Sequence, residues 1–201
     1  MICADCGSPL SAELDSFAAL ELPRKLAIDL PALERVYHDL SRKIHPDRYA
    51  SSPALVRNAS LRGAAVLTRS YRTLRDPVAR ALYWLELRKE KLAENNKSVP
   101  PDLAAMVFEV QEQIAELRDA SPGSQEFKSS ATEIIEKRTT LQALMDESLT
   151  ALEHNFTAWD EGVPAQESML TMELKAILSK IAYIRTLLRD VDSALESTKA
   201  A

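Results

Sequence analysis

Glycine and cysteine are both scarce in this chain, with four glycines and two cysteines among 201 residues. So few cysteines exclude a fold held together by several disulfides. No run of about 18 apolar residues is present, which argues against a membrane-spanning helix. The segment Met1–Cys6 lacks a basic stretch followed by an apolar run. We therefore find no secretory signal, and we expect a cytoplasmic protein that does not bind membranes.

Helix-forming residues dominate the rest of the chain. Leu, Ala, Glu, Lys and Arg are abundant and β-branched runs are few, which is typical of an all-α protein. The net charge of −5 is unevenly distributed: up to Asn95, 15 Lys and Arg oppose 12 Asp and Glu, but from Asn96 onward 10 oppose 18. We therefore expect the two halves to bind different partners. Neither half is basic enough to favour nucleic acid.

An amphipathic helix is predicted from Pro31 to Ile44, because its apolar residues recur every three or four positions. Asp29 or Leu30 would stand just before this helix, with Pro31 in its first turn. The charged residues of the opposite face are Glu34, Arg35, Asp39, Arg42 and Lys43. Pro46 disfavours helical geometry at His45, so we expect the helix to end there.

Two further helices are predicted before the middle of the chain. One runs from about Ser52 to Leu74, and its expected inner face comprises Val56, Ser60, Gly63, Ala64, Leu67, Tyr71 and Leu74. Asp76 and Pro77 are typical of the cap and the first position of the next helix. Its expected apolar face comprises Val78, Leu82 and Leu85, with Ala81 and Trp84 nearby.

The clearest boundary lies at residues 94–101, which are polar and end in two prolines. Beyond it, three segments with apolar residues at helical spacing are separated by turns near Gly123 and Gly162. Three amphipathic helices with short connections predict a three-helix bundle. We therefore expect a Cys-x-x-Cys segment at 1–10, a helical domain at 11–92, a linker at 93–101 and a bundle at 102–198.

The tripeptide His45-Pro46-Asp47 directly follows the helix with the basic face. A loop made rigid by proline would present an imidazole donor and a carboxylate that can pair with an arginine of a partner. The alternative interpretation is a turn that only terminates the helix. We find no arrangement of residues typical of a catalytic site, so we expect a protein that is not an enzyme.

The stretch from Phe17 to Tyr49, FAALELPRKLAIDLPALERVYHDLSRKIHPDRY, resembles the J-domain of the HscB family of iron–sulfur co-chaperones. The features that carry the resemblance include Leu22-Pro23 and the segment His45–Tyr49. Two later segments, Ser70–Pro77 and Arg80–Leu85, are also similar to the family pattern. The resemblance implies an N-terminal J-domain built on a helical hairpin with short flanking helices, followed by a C-terminal three-helix bundle.

The resemblance also implies a function and two sets of site residues. The J-domain would bind a DnaK-type chaperone (HscA in many bacteria) and stimulate its ATP hydrolysis, and the bundle would bind the IscU-type cluster scaffold. The implied chaperone-binding residues are Arg35, Arg42, Lys43, His45, Pro46, Asp47 and Arg48. The alternative for the basic residues is a solvated helix face, in which Arg35 pairs with Asp39.

The family's scaffold-binding motif aligns without a gap with Pro101–Ile114, PDLAAMVFEVQEQI. The implied scaffold-binding residues are Leu103, Ala104, Ala105, Phe108, Glu109, Glu112 and Tyr183. Ala104 and Ala105 replace a pair of large apolar residues in the family, and this reduces the apolar area available for contact. Phe108 and Tyr183 lie off the apolar stripes of their helices, so we expect Phe108 to be exposed. The alternative for Phe108 is packing inside the bundle.

Cys3 and Cys6 have the spacing of half a zinc knuckle, but a tetrahedral zinc site needs two further ligands. Two chains that share one metal, which would form a homodimer, or a nearby histidine would complete the site. A redox dithiol or a remnant are the other interpretations. The co-chaperone function requires no cofactor. Two alternative functions stay open: a generic J-domain co-chaperone with a different client, and a metal or redox protein that uses the Cys pair.

Overall fold

The computed structural model describes residues 14–92 and 99–199, and in these ranges it contains helices and no strands, which confirms the predicted fold class. The α-helices are α1 (Ser16–Ala19), α2 (Leu30–Ile44), α3 (Ala54–Arg75), α4 (Pro77–Leu87), α5 (Ala104–Asp119), α6 (Gln125–Glu161) and α7 (Glu167–Lys199). Short 3₁₀ turns at Pro46–Tyr49, Pro101–Leu103 and Pro164–Gln166 precede or connect them. Cys3 and Cys6 lie outside the described residues.

The chain divides into two compact units. The first comprises the described residues up to Lys89 together with Trp159–Glu161, and the second comprises the described residues of Glu90–Ala158 and Gly162–Ala201. The boundaries expected from sequence, 11–92 and 102–198, did not assign Trp159–Glu161 to the first unit.

Four of the described α-helices begin at side-chain caps that satisfy backbone N–H groups of the first turn, and Asp15 caps α1 by accepting from Phe17 N and Ala18 N. Asp29 accepts from Ala32 N at 3.0 Å, and Asp76 accepts from Ala79 N at 2.7 Å, each followed by a proline in the first turn. These two caps confirm the predicted starts of α2 and α4. Ser124 caps α6 in the same way, since its hydroxyl accepts from Phe127 N at 3.0 Å.

In the first unit α3 is the central helix and packs against α1, α2 and α4. Its buried residues are Ala59, Ser60, Gly63, Leu67, Ser70 and Leu74. The sequence placed Leu82 in the apolar face of α4, but this side chain is 42% exposed. The buried face of α4 is centred on Ala81 and Trp84, and position 82 therefore falls at its side.

The end of α6 completes the first unit. The rings of Trp84 and Trp159 pack edge to face with centroids 5.8 Å apart. The carboxylate of Asp160 accepts from two successive backbone groups, Leu26 N at 2.9 Å and Ala27 N at 2.8 Å. This pair of bonds satisfies backbone donors in the connection between α1 and α2.

The second unit is the expected bundle of α5, α6 and α7. Its core comprises Leu103, Val110, Ile114, Leu117, Ile134, Leu141, Ile184, Leu187, Val191 and Ala194. Ion pairs connect the helices around this core: Glu109 with Lys137, and Arg138 Nε with Asp192 Oδ1 at 2.6 Å. None of the described helices combines the length and the apolar character that spanning a bilayer would require.

Candidate functional site

The chain leaves α2 at His45, where the backbone turns to φ −58° and ψ 131°. This confirms the helix end predicted from Pro46. The 3₁₀ turn Pro46–Tyr49 follows directly, and α3 begins five residues later at Ala54. His45, Pro46 and Asp47 therefore form a short connection at one end of the α2/α3 hairpin.

His45 and Asp47 are linked through the backbone and remain accessible. Nδ1 of His45 accepts a hydrogen bond from Asp47 N at 3.3 Å, so the neutral imidazole keeps its proton on Nε2. The Asp47 carboxylate oxygen Oδ2 lies 3.6 Å from the same Nδ1, and its side chain is 91% exposed. The loop thus offers a partner both an N–H donor and a carboxylate.

Proline removes one of the backbone donors that would normally end α2. In a continuing helix the carbonyls of Arg42, Lys43 and Ile44 would accept from the N–H groups of residues 46, 47 and 48. Pro46 has no N–H. Asp47 N is directed to the His45 ring and Arg48 N to the His45 carbonyl at 3.0 Å. The last three helical carbonyls therefore need other donors.

Side chains supply those three donors. Arg48 Nη1 donates to the carbonyl of Arg42 at 3.3 Å, and Tyr49 Oη donates to that of Lys43 at 3.0 Å. Ser60, from α3, donates to the carbonyl of Ile44 at 2.7 Å. All three carbonyls are therefore satisfied, two by side chains of the loop and one by a side chain of α3.

The implied basic residues all lie on exposed positions: Arg35, Arg42, Lys43 and Arg48. Asp39 pairs with Arg42, and not with Arg35 as the alternative interpretation had it. Both members of this pair are exposed, so it contributes little to stability. Neither Arg35 nor Lys43 forms an ion pair with any residue that the structure describes. This helix face therefore carries accessible positive charge next to the loop.

The second candidate surface is the outer face of α5. Phe108 is 71% exposed, which confirms the expected exposure and excludes packing inside the bundle. Ala104, Ala105 and Glu112 are also exposed, and Glu109 pairs with Lys137 of α6. The resulting surface has one aromatic side chain among alanines, bordered by carboxylates.

Two residues implied for this surface are placed differently by the structure. Leu103 is 1% exposed and belongs to the bundle core, where a partner cannot reach it. It ends the 3₁₀ turn that precedes α5, and this turn directs its side chain inward. Tyr183 is partly buried against the same core, so only part of its ring is accessible. Position 183 lies beside the buried stripe of α7, and a tyrosine side chain is long enough to reach the core from there.

In the described ranges no group of three or more His, Cys, Asp or Glu side chains could hold a metal ion. The proposed zinc ligands, Cys3 and Cys6, fall outside those ranges. The sequence also missed the roles of Tyr49 and Ser60 in closing α2. A polar residue in the middle of an apolar helix stripe was the available signal for Ser60.

Comparisons with known proteins agree on one group of relatives. A protein of Bordetella petrii described as a co-chaperone protein HscB homolog is 32% identical over 135 residues, which cover 66% of this chain and 79% of that protein. The chain belongs to the HscB co-chaperone family. The HscB homolog of Aromatoleum aromaticum is 28% identical over 195 residues, 94% of this chain and 97% of its own length. No protein-family model matches the chain.

Solved HscB structures share the fold. The crystal structure of the human co-chaperone HscB superposes with a TM-score of 0.70 and 20% identity, covering 96% of this chain and 88% of that one. The chaperone HscB from Vibrio cholerae superposes with a TM-score of 0.64 at 20% identity, covering 92% and 99%. Both support a J-domain-like unit followed by a helical bundle.

Proposed function

We propose that this HscB-family protein is a cytoplasmic co-chaperone of iron–sulfur cluster assembly. Its first unit binds a DnaK- or HscA-type chaperone and stimulates ATP hydrolysis, and its bundle binds an IscU-type scaffold. The observation that best supports this proposal is the loop at His45–Asp47, which is exposed and lies beside a helix face whose Arg35 and Lys43 form no ion pair with a described residue.

The charges of the first unit suit an acidic chaperone surface. Arg35 and Lys43 have no carboxylate partner among the described residues, and such charges raise the rate of association more than the affinity. Asp47 then supplies a carboxylate for a charge-assisted hydrogen bond with an arginine of the chaperone. His45 contributes its Nε2–H. None of these steps requires a metal or cofactor from this chain.

The bundle offers a different chemistry to the scaffold. An exposed aromatic ring is a common anchor at protein interfaces, and Phe108 is the exposed ring of α5. Glu109 and Glu112 would border the contact with negative charge. One chain that binds both partners raises the local concentration of the scaffold at the chaperone.

The test is the steady-state ATPase rate of the organism's DnaK-type chaperones, with this protein and the cluster scaffold added singly and together. We expect stimulation by this protein, and a further increase with one chaperone when the scaffold is present. Absence of any stimulation would refute the chaperone-binding part of the proposal.

A generic J-domain co-chaperone with another client is the second candidate. The observation that favours it is the small size of Ala104 and Ala105, both of which are exposed where the family has large apolar side chains. Each missing CH₂ group reduces the favourable burial by about 0.8 kcal/mol. ATPase stimulation that does not change when the scaffold is added would support this candidate over the first.

A further inference from the structure

Ser60 is a polar side chain in the buried face of α3. It is 0% exposed, and Ala59 and Gly63 of the same helix are also buried. A buried hydroxyl is costly unless it forms a hydrogen bond. Its partner is the carbonyl of Ile44, at 2.7 Å and 16 residues away in the sequence.

The choice of this partner distinguishes Ser60 from other hydroxyls in helices of the chain. A helical serine or threonine commonly donates to the carbonyl four residues earlier. Thr68 of the same helix does so, to Ala64 at 2.9 Å, and Ser148 of α6 donates to Leu144 at 2.7 Å. Ser60 instead reaches across to the end of α2. Its hydroxyl therefore connects two elements.

We infer that Ser60 is a positioning residue for the His45-Pro46-Asp47 loop, and this inference rests on the proposed function. The Ile44 carbonyl and the His45 nitrogen belong to one planar peptide unit. A hydrogen bond that fixes the direction of this carbonyl therefore fixes the plane from which the His45 backbone starts. The orientation of the loop relative to α3 follows from that plane.

The other two donors cannot perform this task. Arg48 and Tyr49 belong to the 3₁₀ turn itself, so these two bonds tie the loop to α2 and do not connect it to α3. Of the three side chains that close α2, Ser60 alone is anchored outside the loop. Without its hydroxyl the loop would populate other orientations. Because a chaperone binds only the competent fraction, its apparent affinity would fall by that fraction.

Ser60→Ala removes the hydroxyl with little change in size, and Ser70→Ala is the matched control. Ser70 is also buried in α3, at 3% exposure, and has no hydrogen bond to the loop. The first measurement is hydrogen exchange of the backbone amides of Asp47 and Arg48 in the protein alone. The second is the protein concentration that gives half-maximal ATPase stimulation.

We expect Ser60→Ala to accelerate exchange of both amides and to raise the half-maximal concentration by up to about fivefold, which is the largest population shift that loss of one typical hydrogen bond produces. Maximal stimulation at saturation stays unchanged. Ser60→Cys, which keeps the size and a weak donor, gives an intermediate effect. Ser70→Ala changes neither readout, even if it lowers the unfolding temperature by as much as Ser60→Ala does.

Equal effects of Ser60→Ala and Ser70→Ala would overturn the inference, and so would unchanged exchange at Asp47 and Arg48. The exchange measurement needs no chaperone. If the unmodified protein fails to stimulate any chaperone, the proposed function fails, while the exchange data still decide whether Ser60 holds the loop.

Discussion

Tyr37 of α2 and Tyr71 of α3 stack with their ring centroids 4.2 Å apart and their planes at 13°. Both rings are partly buried, and they join the middle of α2 to the last turns of α3. An aromatic contact therefore holds α2, the helix that carries the basic face, against α3. At the far end of the hairpin, Ser60 joins the same two helices next to the loop.

Removal of one ring should destabilise the first unit. Tyr71→Ala deletes the stack and opens a gap between α2 and α3, so we expect a loss of about 2 kcal/mol in the free energy of unfolding. Tyr71→Phe keeps the ring and should cost much less. Denaturant unfolding followed by circular dichroism compares the two variants. Equal stability of both would show that the stack contributes nothing.

The Asp47 carboxylate should be needed for ATPase stimulation and not for folding. Its side chain is 91% exposed, so Asp47→Asn leaves the packing unchanged while it removes the charge that would pair with a chaperone arginine. We expect stimulation to be abolished and the unfolding midpoint to be retained. Glu86→Gln is the control, because this exposed side chain of α4 forms no ion pair with a described residue, and it should retain stimulation. Stimulation that persists in Asp47→Asn would contradict the J-domain mechanism.

Scaffold binding should depend on Phe108. Phe108→Ala removes an exposed ring, so we expect the dissociation constant of the scaffold complex to rise about tenfold, with unchanged stimulation in the absence of scaffold. Ile135→Ala is the control, because this α6 side chain is 53% exposed. Calorimetric titration measures the dissociation constant of the scaffold complex for both variants. Similar affinities for the two variants would remove Phe108 from the interface.

The ion pair between Asp102 and Lys180 should make bundle stability depend on acid. The hydrogen bond from Lys180 Nζ, at 2.7 Å, holds the pKa of the Asp102 carboxyl below its ordinary value, and desolvation opposes this shift. A lowered pKa stabilises the fold above the unfolded value, about 3.9, and this contribution disappears as the pH falls through the folded value.

Asp102→Asn should therefore lower stability at pH 7 and match the unmodified protein near pH 2. Asp102 is exposed and Lys180 is partly buried, so the effect stays below about 1 kcal/mol. Denaturant titrations at the two pH values provide the comparison. Asp119→Asn is the control, because Asp119 of α5 forms no ion pair with a described residue. A pH-independent difference would show that the charge of Asp102 is irrelevant.

The Cys pair should be accessory to the co-chaperone function. We expect the double variant Cys3→Ser/Cys6→Ser to lose any zinc that copurifies and to keep full ATPase stimulation. Elemental analysis and sedimentation would also show whether two chains share a metal. Loss of stimulation in the double variant would favour the metal or redox alternative.

Local sequence signals were sufficient to predict where α2 and α4 begin, where α2 ends and that Phe108 is exposed on α5. Asp29, Asp76 and the prolines that follow them act within one turn, so the starts of α2 and α4 were predictable from sequence. Pro46 likewise ended α2 as predicted. The exposure of Phe108 followed from its position off the apolar stripe of α5.

The sequence by itself thus determined the all-α class, the two ends of α2, the start of α4 and the exposed loop, because capping, proline geometry and apolar spacing act over a few residues. Only the tertiary structure decided that Leu103 is buried, that Leu82 is exposed and that Ser60 closes α2. It also assigned Trp159–Glu161 to the first unit. These outcomes depend on which faces of distant segments meet, and helical periodicity does not specify that choice.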